Sequence, residues 1–491
     1  MSAVDRWLIA RSADMRATAA DRVLLRLSWM ADHNLLWVAA AAAMYLVGDR
    51  AQRRAAVRGL LSVGLASGIA NGIAKPILPR RRPPDASVPF VRRPMRPPYS
   101  SSFPSGHSAS AAAFVTGVVL EDRRVAVAVA PVAAAVGYSR VHIGVHWPSD
   151  VVAGAMLGSA LALATRRWWA VRARASATMG PTRAIAPVPG GAGLLVVVNR
   201  SSGLGNGVRI DALRDKLPAA RILEFDPGTD LGAQIAERVD AGGVVALGVL
   251  GGDGTVSGVA GSAVRHDLPL AVFAGGTLNH FARDLGVDDP AATMAALASG
   301  EVMRTDTARV SFGADGERTF VNTASLGGYP DFVRLREKLE PRLGKWPAAA
   351  VALFRVLARA QPLHVIIDGE RVEIWMLFVG NGTYMPGHQV PTARPRLHGG
   401  TLDVRYLRAD LPLSRARLIW STITGSLEHS HTYVHRRVAQ MRVQVVGADV
   451  SLATDGEVNR RVKDLTITSE AGALGVFRPS DPGVIHGNGR R

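Results

Sequence analysis

Val244-Val245-Ala246-Leu247-Gly248-Val249-Leu250 runs directly into Gly251-Gly252-Asp253-Gly254-Thr255, and this stretch decides the fold of the larger part of the chain. Seven apolar or small residues in a row read as a strand. The glycine turn at its end lets backbone amides approach a phosphate with no Cβ in the way. A second pair of the same kind follows: Leu270 to Ala274, then Gly275-Gly276-Thr277-Leu278-Asn279-His280-Phe281-Ala282-Arg283. Both turns are expected to leave one sheet edge. Upstream, Leu194 to Val198 is strand-like, and strands alternate with helical segments to about Gly300, the pattern of a parallel α/β sheet over residues 192–304. From Thr305 short alternating segments dominate, as in Leu363 to Ile367, Trp375 to Val379, Leu402 to Tyr406 and Met441 to Val446. Residues 305–478 are therefore expected to be β-rich.

Toward the N-terminus the composition changes. Over all 491 residues, 48% are hydrophobic and 20% charged, which excludes a disordered chain. There is no cysteine, so disulfide scaffolds, thiolate metal sites and cysteine nucleophiles are excluded. The net charge of +18 is uneven: residues 1–190 hold 24 Lys and Arg against 9 Asp and Glu, a net of +15, and the remainder holds 34 against 31, a net of +3. In the basic part, uncharged runs at 34–48, 59–74, 108–120, 125–139 and 151–165 alternate with arginine clusters, as beside membranes, and no nucleic-acid partner is expected. Each run is shorter than the ~20 residues of an unaided span. Five short or tilted spans in an all-α bundle at 31–170 are expected, with a soluble bundle as the alternative. Residues 1–30, mixing five arginines with Trp7, Leu24, Leu25 and Trp29, read as an interfacial helix. Residues 171–191 read as a linker and 479–491 as a flexible tail.

Three polar blocks stand at the ends of the apolar runs: Lys75 with Arg82-Pro83, then Pro104-Ser105-Gly106-His107, then Ser139-Arg140 with His146 and Asp150. Lys75, Arg82 and Arg140 can neutralise a phosphate dianion, and Ser105-Gly106 opens a helix whose first amides would face the same anion. Of two histidines, one can attack phosphorus while the other protonates the leaving oxygen, and Asp150 lies close enough to His146 to hold one ring nitrogen. His142 has no such role and reads as structural.

These blocks resemble the signature of the type 2 phosphatidic-acid phosphatase family, whose soluble relatives include bacterial acid phosphatases and vanadium haloperoxidases. The resemblance covers about residues 60–160. It implies His146 as nucleophile, His107 as general acid and Asp150 as orienting carboxylate. It also implies that Lys75, Arg82, Ser105, Gly106 and Arg140 hold the phosphate.

From about residue 193 to 470 the chain resembles the diacylglycerol kinase family, which includes sphingosine kinases. Beside the two glycine turns, Asn199 to Gly203, Phe320 to Gly327, Val379 to Tyr384 and Asp455-Gly456-Glu457 carry the likeness. It implies ATP between an α/β domain and a β-sandwich domain, a lipid hydroxyl as acceptor, and Mg²⁺. By position Asn199, Gly252, Asp253, Gly254, Thr255 and Thr277 would line the nucleotide site, while Asp253 and Glu457 would handle Mg²⁺ or the acceptor proton. Arg200, Leu278 and His280 depart from the family pattern. His398-Gly399-Gly400 stands where some members carry a metal-binding aspartate turn. His429, His431 and His435, without nearby carboxylates, read as a solvated edge strand rather than a metal site.

Taken together, a bifunctional membrane lipid enzyme is expected, multi-pass in the plasma membrane, its kinase half cytoplasmic and its phosphatase site facing outward. The arginine clusters at 50–58, 123–124 and 166–174 mark the cytoplasmic face. The alternatives are a kinase anchored by a catalytically idle bundle and a soluble acid phosphatase-like domain fused to a kinase.

Overall fold

The computed structural model describes residues 2–479, except 95–98, 172–175, 200–205, 227, 277–278, 288, 313–315, most of 329–360, 388–390 and 392. The tail expected at 479–491 lies outside the described residues from 480 onward. The chain forms two compact units, Met1–Arg172 and Ala173–Arg491.

The first unit is all helical: α1 (Ala3–Ala13), α2 (Ala19–Met30), α3 (Leu35–Val47), α4 (Arg50–Ile69), α5 (Gly106–Glu121), α6 (Arg123–His142) and α7 (Pro148–Ala164). Sequence punctuates these ends. Asp49 and Gln52 form a reciprocal capping box at α4, Ser105 caps α5, and Asp122 caps α6 through the amides of Arg124 and Val125. Beyond Ile69 the helix continues through a π turn, Ala70–Ala74, into Lys75–Ile77, so an irregular turn immediately precedes a site residue.

Helix α5 is the centre of the bundle. Its Phe114 and Val118 pack with Trp37 and Ala41 of α3, Ala55 and Val63 of α4, and Val136 of α6. Against α7 it lies backbone to backbone: a Cβ on Gly154 would come within 2.3 Å of the Ser105 carbonyl, and one on Gly158 within 2.0 Å of the Ala109 carbonyl. At the end of the bundle away from Lys75, Arg58 is fully buried and donates to Glu121 (2.7 Å), Thr165 (3.0 Å) and the Trp169 carbonyl (2.7 Å), while Arg54 joins Glu121 at 2.9 Å.

The sequence predicts five spans. Among the described residues, three helices are long and apolar enough to cross a membrane, Ala51–Ile77, Arg123–His142 and Pro148–Arg167; α2 and α3 make a fourth if the pair, bent by 78°, counts as one. The run at 108–120 falls in α5, whose 16 residues reach only ~24 Å. The N-terminal segment differs too. Instead of one interfacial helix there are two, α1 and α2, and their Asp5 and Asp21 are buried.

The second unit is built on one continuous sheet. Strands β2 (Leu194–Asn199), β3 (Arg221–Phe225), β4 (Ala246–Gly251) and β5 (Leu270–Ala274) pair in parallel in the order 3-2-4-5. The apolar runs explain the pairing, because β2 and β4 are buried on both faces, between helices on either side of the sheet. Antiparallel strands follow: β6 (Glu301–Ser311), β7 (Glu317–Phe320), β8 (Thr323–Gly327), β9 (Leu363–Ile367), β10 (Glu370–Asn381), β11 (Leu402–Arg408), β12 (Tyr433–Val438), β13 (Gln440–Val445), β14 (Val450–Thr454), β15 (Glu457–Val462) and β16 (Asp464–Phe477). They surround a core of their own that includes Phe320, Leu326, Val365, Leu377, Val404, Val443 and Ile467.

The two parts of this sheet meet in β16, which pairs with β13, with β6 and, at Val476, in parallel with Leu270 of β5. Strand β6 runs through residues 304 and 305, where a subdomain boundary was expected. The described residues of the expected linker are also integrated: β1 (Thr182–Ala184) pairs with β6, and Arg478 donates to the Ala177 carbonyl (2.7 Å) and to Ser176 (2.6 Å).

Candidate functional sites

In the helical unit the three polar blocks converge at one end of the bundle. Lys75 closes the long helix that begins with α4, Ser105, Gly106 and His107 open α5, Arg140 closes α6, and His146 and Asp150 flank the start of α7. The Ser105 amide donates to the Asp150 carbonyl at 3.0 Å, tying the second block to the third. Lys75 lies in the field of Arg82 and Arg140, so the three cations surround one space. Ser105 is buried and accepts from Ser108, and a Cβ on Gly106 would meet the amide of Asn71 in the π turn at 2.9 Å.

The tautomer of His146 follows from its neighbours. An Arg82 guanidinium nitrogen lies 3.3 Å from Nε2, and a guanidinium can only donate, so Nε2 carries the lone pair. Nδ1 then bears the proton and faces the Asp150 carboxylate at 3.6 Å. Burial, with Arg140 and Arg82 beside it, pushes the imidazole down to about 3 despite Asp150. At neutral pH the ring is uncharged and its nucleophilic nitrogen points at the cations.

Several partners of these groups carry no sequence signal. Arg80 donates to Asp150 (2.5 Å) and to Asp5 of α1 (2.8 Å), fixing the carboxylate that faces His146. Asp32, between α2 and α3, takes His107 Nε2 at 2.7 Å. His142 pairs with Asp21 at 2.6 Å, which also takes Arg92 at 2.8 Å, a structural arrangement.

In the second unit the glycine turn is placed differently from its sequence reading. Gly251 ends β4, Gly252 is the cap, and Asp253, Gly254 and Thr255 already belong to the first turn of α8 (Asp253–Arg265). Two of the glycines serve loop packing: a Cβ on Gly276 would meet Gly252 Cα at 2.6 Å, and one on Gly254 would meet Glu457 at 2.0 Å. Gly252 itself faces open space, with nothing nearer than 3.8 Å, at the amide end of a helix. Asn199 reaches Thr255 at 2.9 Å. Thr277 and Arg200 lie outside the described residues.

Asp253 is already engaged. Its Oδ1 accepts from the Phe281 amide (3.1 Å) and Asn322 Nδ2 (3.2 Å), and its Oδ2 from the His280 amide (3.0 Å). A carboxylate offers about four acceptor positions, so among the described residues one remains, on Oδ2. Glu457 lies against Gly254 on one side and meets Arg318 at 3.3 Å on the other. Burial holds His280 below its ordinary value although Asp253 pulls the other way. Behind Asp253, Asn322 is set by Asp455, which accepts the amides of Val321 (2.9 Å), Asn322 (2.8 Å) and Thr323 (2.8 Å). Arg394, buried, donates to Asn322 Oδ1 (2.7 Å), the Val321 carbonyl (2.5 Å) and Asp284 (2.7 Å).

Near the expected metal turn, Asp306 accepts the amides of Gly400 and Gly472, each at 2.7 Å. Among the described residues no cluster of three or more His, Asp or Glu side chains forms a metal cage. His435 instead lies 3.2 Å from Asp403, whose pair with Arg405 helps hold that carboxyl at about 2 against the opposing effect of burial.

Two unrelated centres thus share the chain, one a histidine set at the end of a helical bundle, the other a glycine turn at the edge of a parallel sheet. The PAP2 superfamily matches residues 55–174, and the diacylglycerol kinase catalytic domain matches residues 193–310. One chain thus carries both domains. Over 64 residues, 13% of this chain, it is 44% identical to the lipid A 1-phosphatases of Rhizobium johnstonii and Rhizobium etli. That stretch spans 26% and 28% of those two proteins, about a quarter of their length. Similar solved structures include a putative diacylglycerol kinase from Bacillus anthracis, 23% identical with a TM-score of 0.44, covering 58% of this chain and 97% of that one. Another is the transmembrane PAP2 type phosphatidylglycerolphosphate phosphatase from Bacillus subtilis, 26% identical with a TM-score of 0.27, covering 33% and 81%.

Proposed function

We propose that the chain is a bifunctional membrane lipid enzyme: one half hydrolyses a lipid phosphate, the other phosphorylates a lipid hydroxyl with ATP. The observation that carries the first activity is the neutral His146, its Nε2 lone pair among Arg82, Arg140 and Lys75 and its Nδ1–H toward Asp150. Nε2 attacks phosphorus, the P–O bond to the lipid breaks, and His107 gives its proton to the leaving oxygen. Water then loses a proton to His107 and cleaves the P–N bond, restoring His146 and releasing phosphate. The substrate class is a phosphate monoester or diphosphate on a lipid. The name of the Rhizobium relatives favours a lipid phosphate over a small soluble phosphoester.

In the kinase half, Gly252, Gly254, Thr255 and Asn199 at the amide end of α8 fit the phosphates of ATP, and the remaining Oδ2 position of Asp253 with Glu457 fits Mg²⁺. Held there, Mg²⁺ would supply charge neutralisation on the transferring phosphoryl group. With that Asp253 position given to the metal, Glu457 is the carboxylate left to take the proton of the acceptor hydroxyl. Location in the plasma membrane follows the same reading, with the arginine-rich loops of the helical unit on the cytoplasmic side, the phosphatase site facing out, and the kinase using cytoplasmic ATP.

Purified full-length protein in mixed micelles tests this reading. His146→Ala is expected to abolish phosphate release and leave ATP-dependent lipid phosphorylation intact, and Asp253→Asn the reverse. Wild-type protein that does neither with membrane lipids overturns it.

A further inference from the structure

We propose that Asp5 and Asp32, from the segment ahead of α3, form part of the phosphatase centre, with Asp32, at the bend between α2 and α3, as the counter-ion and positioning residue of His107. The proposal rests on the phosphatase reading above and adds residues outside the matched domain, which begins at residue 55.

A general acid must hold a proton next to the cations that bind phosphate. Charged neighbours reach His107 from every side: Lys75 from the end of the long helix, Arg140 from α6 and Asp32 from the bend. Two of these three discourage an imidazolium, and Asp32 is the compensating carboxylate, 2.7 Å from Nε2. Asp32 stands in the short turn at the 78° bend between α2 and α3. With Nε2 fixed, Nδ1 is left to exchange a proton with the leaving oxygen and then with water, so the two half-reactions balance.

The same segment touches the other histidine. Asp5 of α1 accepts from the Ser149 amide (3.0 Å), the Ser149 hydroxyl (2.8 Å) and Arg80 (2.8 Å), and Arg80 in turn holds Asp150 at 2.5 Å. A third carboxylate supplies an internal control. Asp21 of α2 makes a pair of the same kind with His142, at 2.6 Å, and among the described residues the ring hydrogen bonds of His142 go to Asp21 and Tyr138 rather than to a phosphate-site group.

The test is the pH dependence of kcat/KM for phosphate release from phosphatidate in mixed micelles, using the full chain. Asp32→Asn is expected to lower kcat/KM about tenfold or more, a share of the ~10²–10⁴ that a general acid contributes, and to move the alkaline limb to lower pH. Asp32→Glu is expected to restore the limb. Asp21→Asn is expected to lower the melting temperature and leave the limb in place. Because the Asp32 side chain is 44% exposed, added formate is expected to recover part of the activity of Asp32→Ala, which covers the case of an Asn variant that does not fold. Wild-type kcat/KM and limb in Asp32→Asn, or equal shifts in Asp32→Asn and Asp21→Asn, overturn the proposal while leaving the phosphatase reading standing. No release by wild-type protein removes both.

Discussion

His146 is held neutral by burial and by two guanidinium groups, and this has a measurable signature. In the absence of substrate its imidazole nitrogens are expected to keep neutral-ring chemical shifts from pH 8 down to about pH 4, because its pKa lies at about 3. A midpoint between pH 6 and 7 would contradict the buried geometry. The linkage has a definite sign: below about pH 6.5 the unfolded chain takes up a proton that the fold refuses, so acid lowers stability from that point downward. In the kinase half, Asn322→Ala removes a hydrogen bond to Asp253 and a partner of buried Arg394. Kinase turnover is expected to fall about tenfold, the equivalent of one ~1.4 kcal/mol hydrogen bond, with phosphate release unchanged. Arg394, Arg80 and Asp32 were not legible in the sequence, and Asn322 was legible only as a member of the Phe320 to Gly327 block, without a role. Motif spacing marks residues that act along one segment, such as His146 and Asp150. A lone Asn or Asp whose partner is tens of residues away leaves no periodicity and no turn signature. Glycines were legible as turn residues but not in their full purpose, since the crowding of Gly254 by Glu457 depends on a strand 200 residues later.

At the scale of elements, the contact between α5 and α7 depends on the absence of two side chains. Gly158→Ala places a Cβ on the Ala109 carbonyl and forces the helices apart, moving the Ser105 turn that opens the phosphate site. A loss of about 1–3 kcal/mol is expected, read as a lower melting temperature together with reduced phosphate release. The buried Arg58–Glu121 pair makes an opposite case, where a charge is lost rather than a methyl gained. Glu121→Gln leaves Arg58 uncompensated and is expected to cost about 3–5 kcal/mol. Strands were the most legible elements: β9 spans the residues expected of it, and β2, β11 and β13 differ by a residue or two. A continuous apolar run in β2 and the alternation of apolar with polar residues in β11 and β13 leave little freedom there. Less legible was the N-terminal segment, because Arg and Trp side chains suggest a surface helix while inward carboxylates of α1 and α2 obey no period.

For the molecule as a whole, the proposed orientation across the bilayer is testable because the chain has no native cysteine. In intact cells an impermeant maleimide is expected to label Ala86→Cys, in the loop beside the phosphate site, and to spare Gly316→Cys, between β6 and β7. The reverse pattern contradicts an outward-facing phosphatase. The path of β16 also fixes an order of events during synthesis. The helical unit has all its parts once residue 172 leaves the ribosome, whereas the parallel sheet waits for a neighbour supplied by residues 464–477. A message cut short before that strand would therefore yield a finished hydrolase tethered to an unfolded companion, so frameshifts late in the reading frame should silence one catalyst and spare the other.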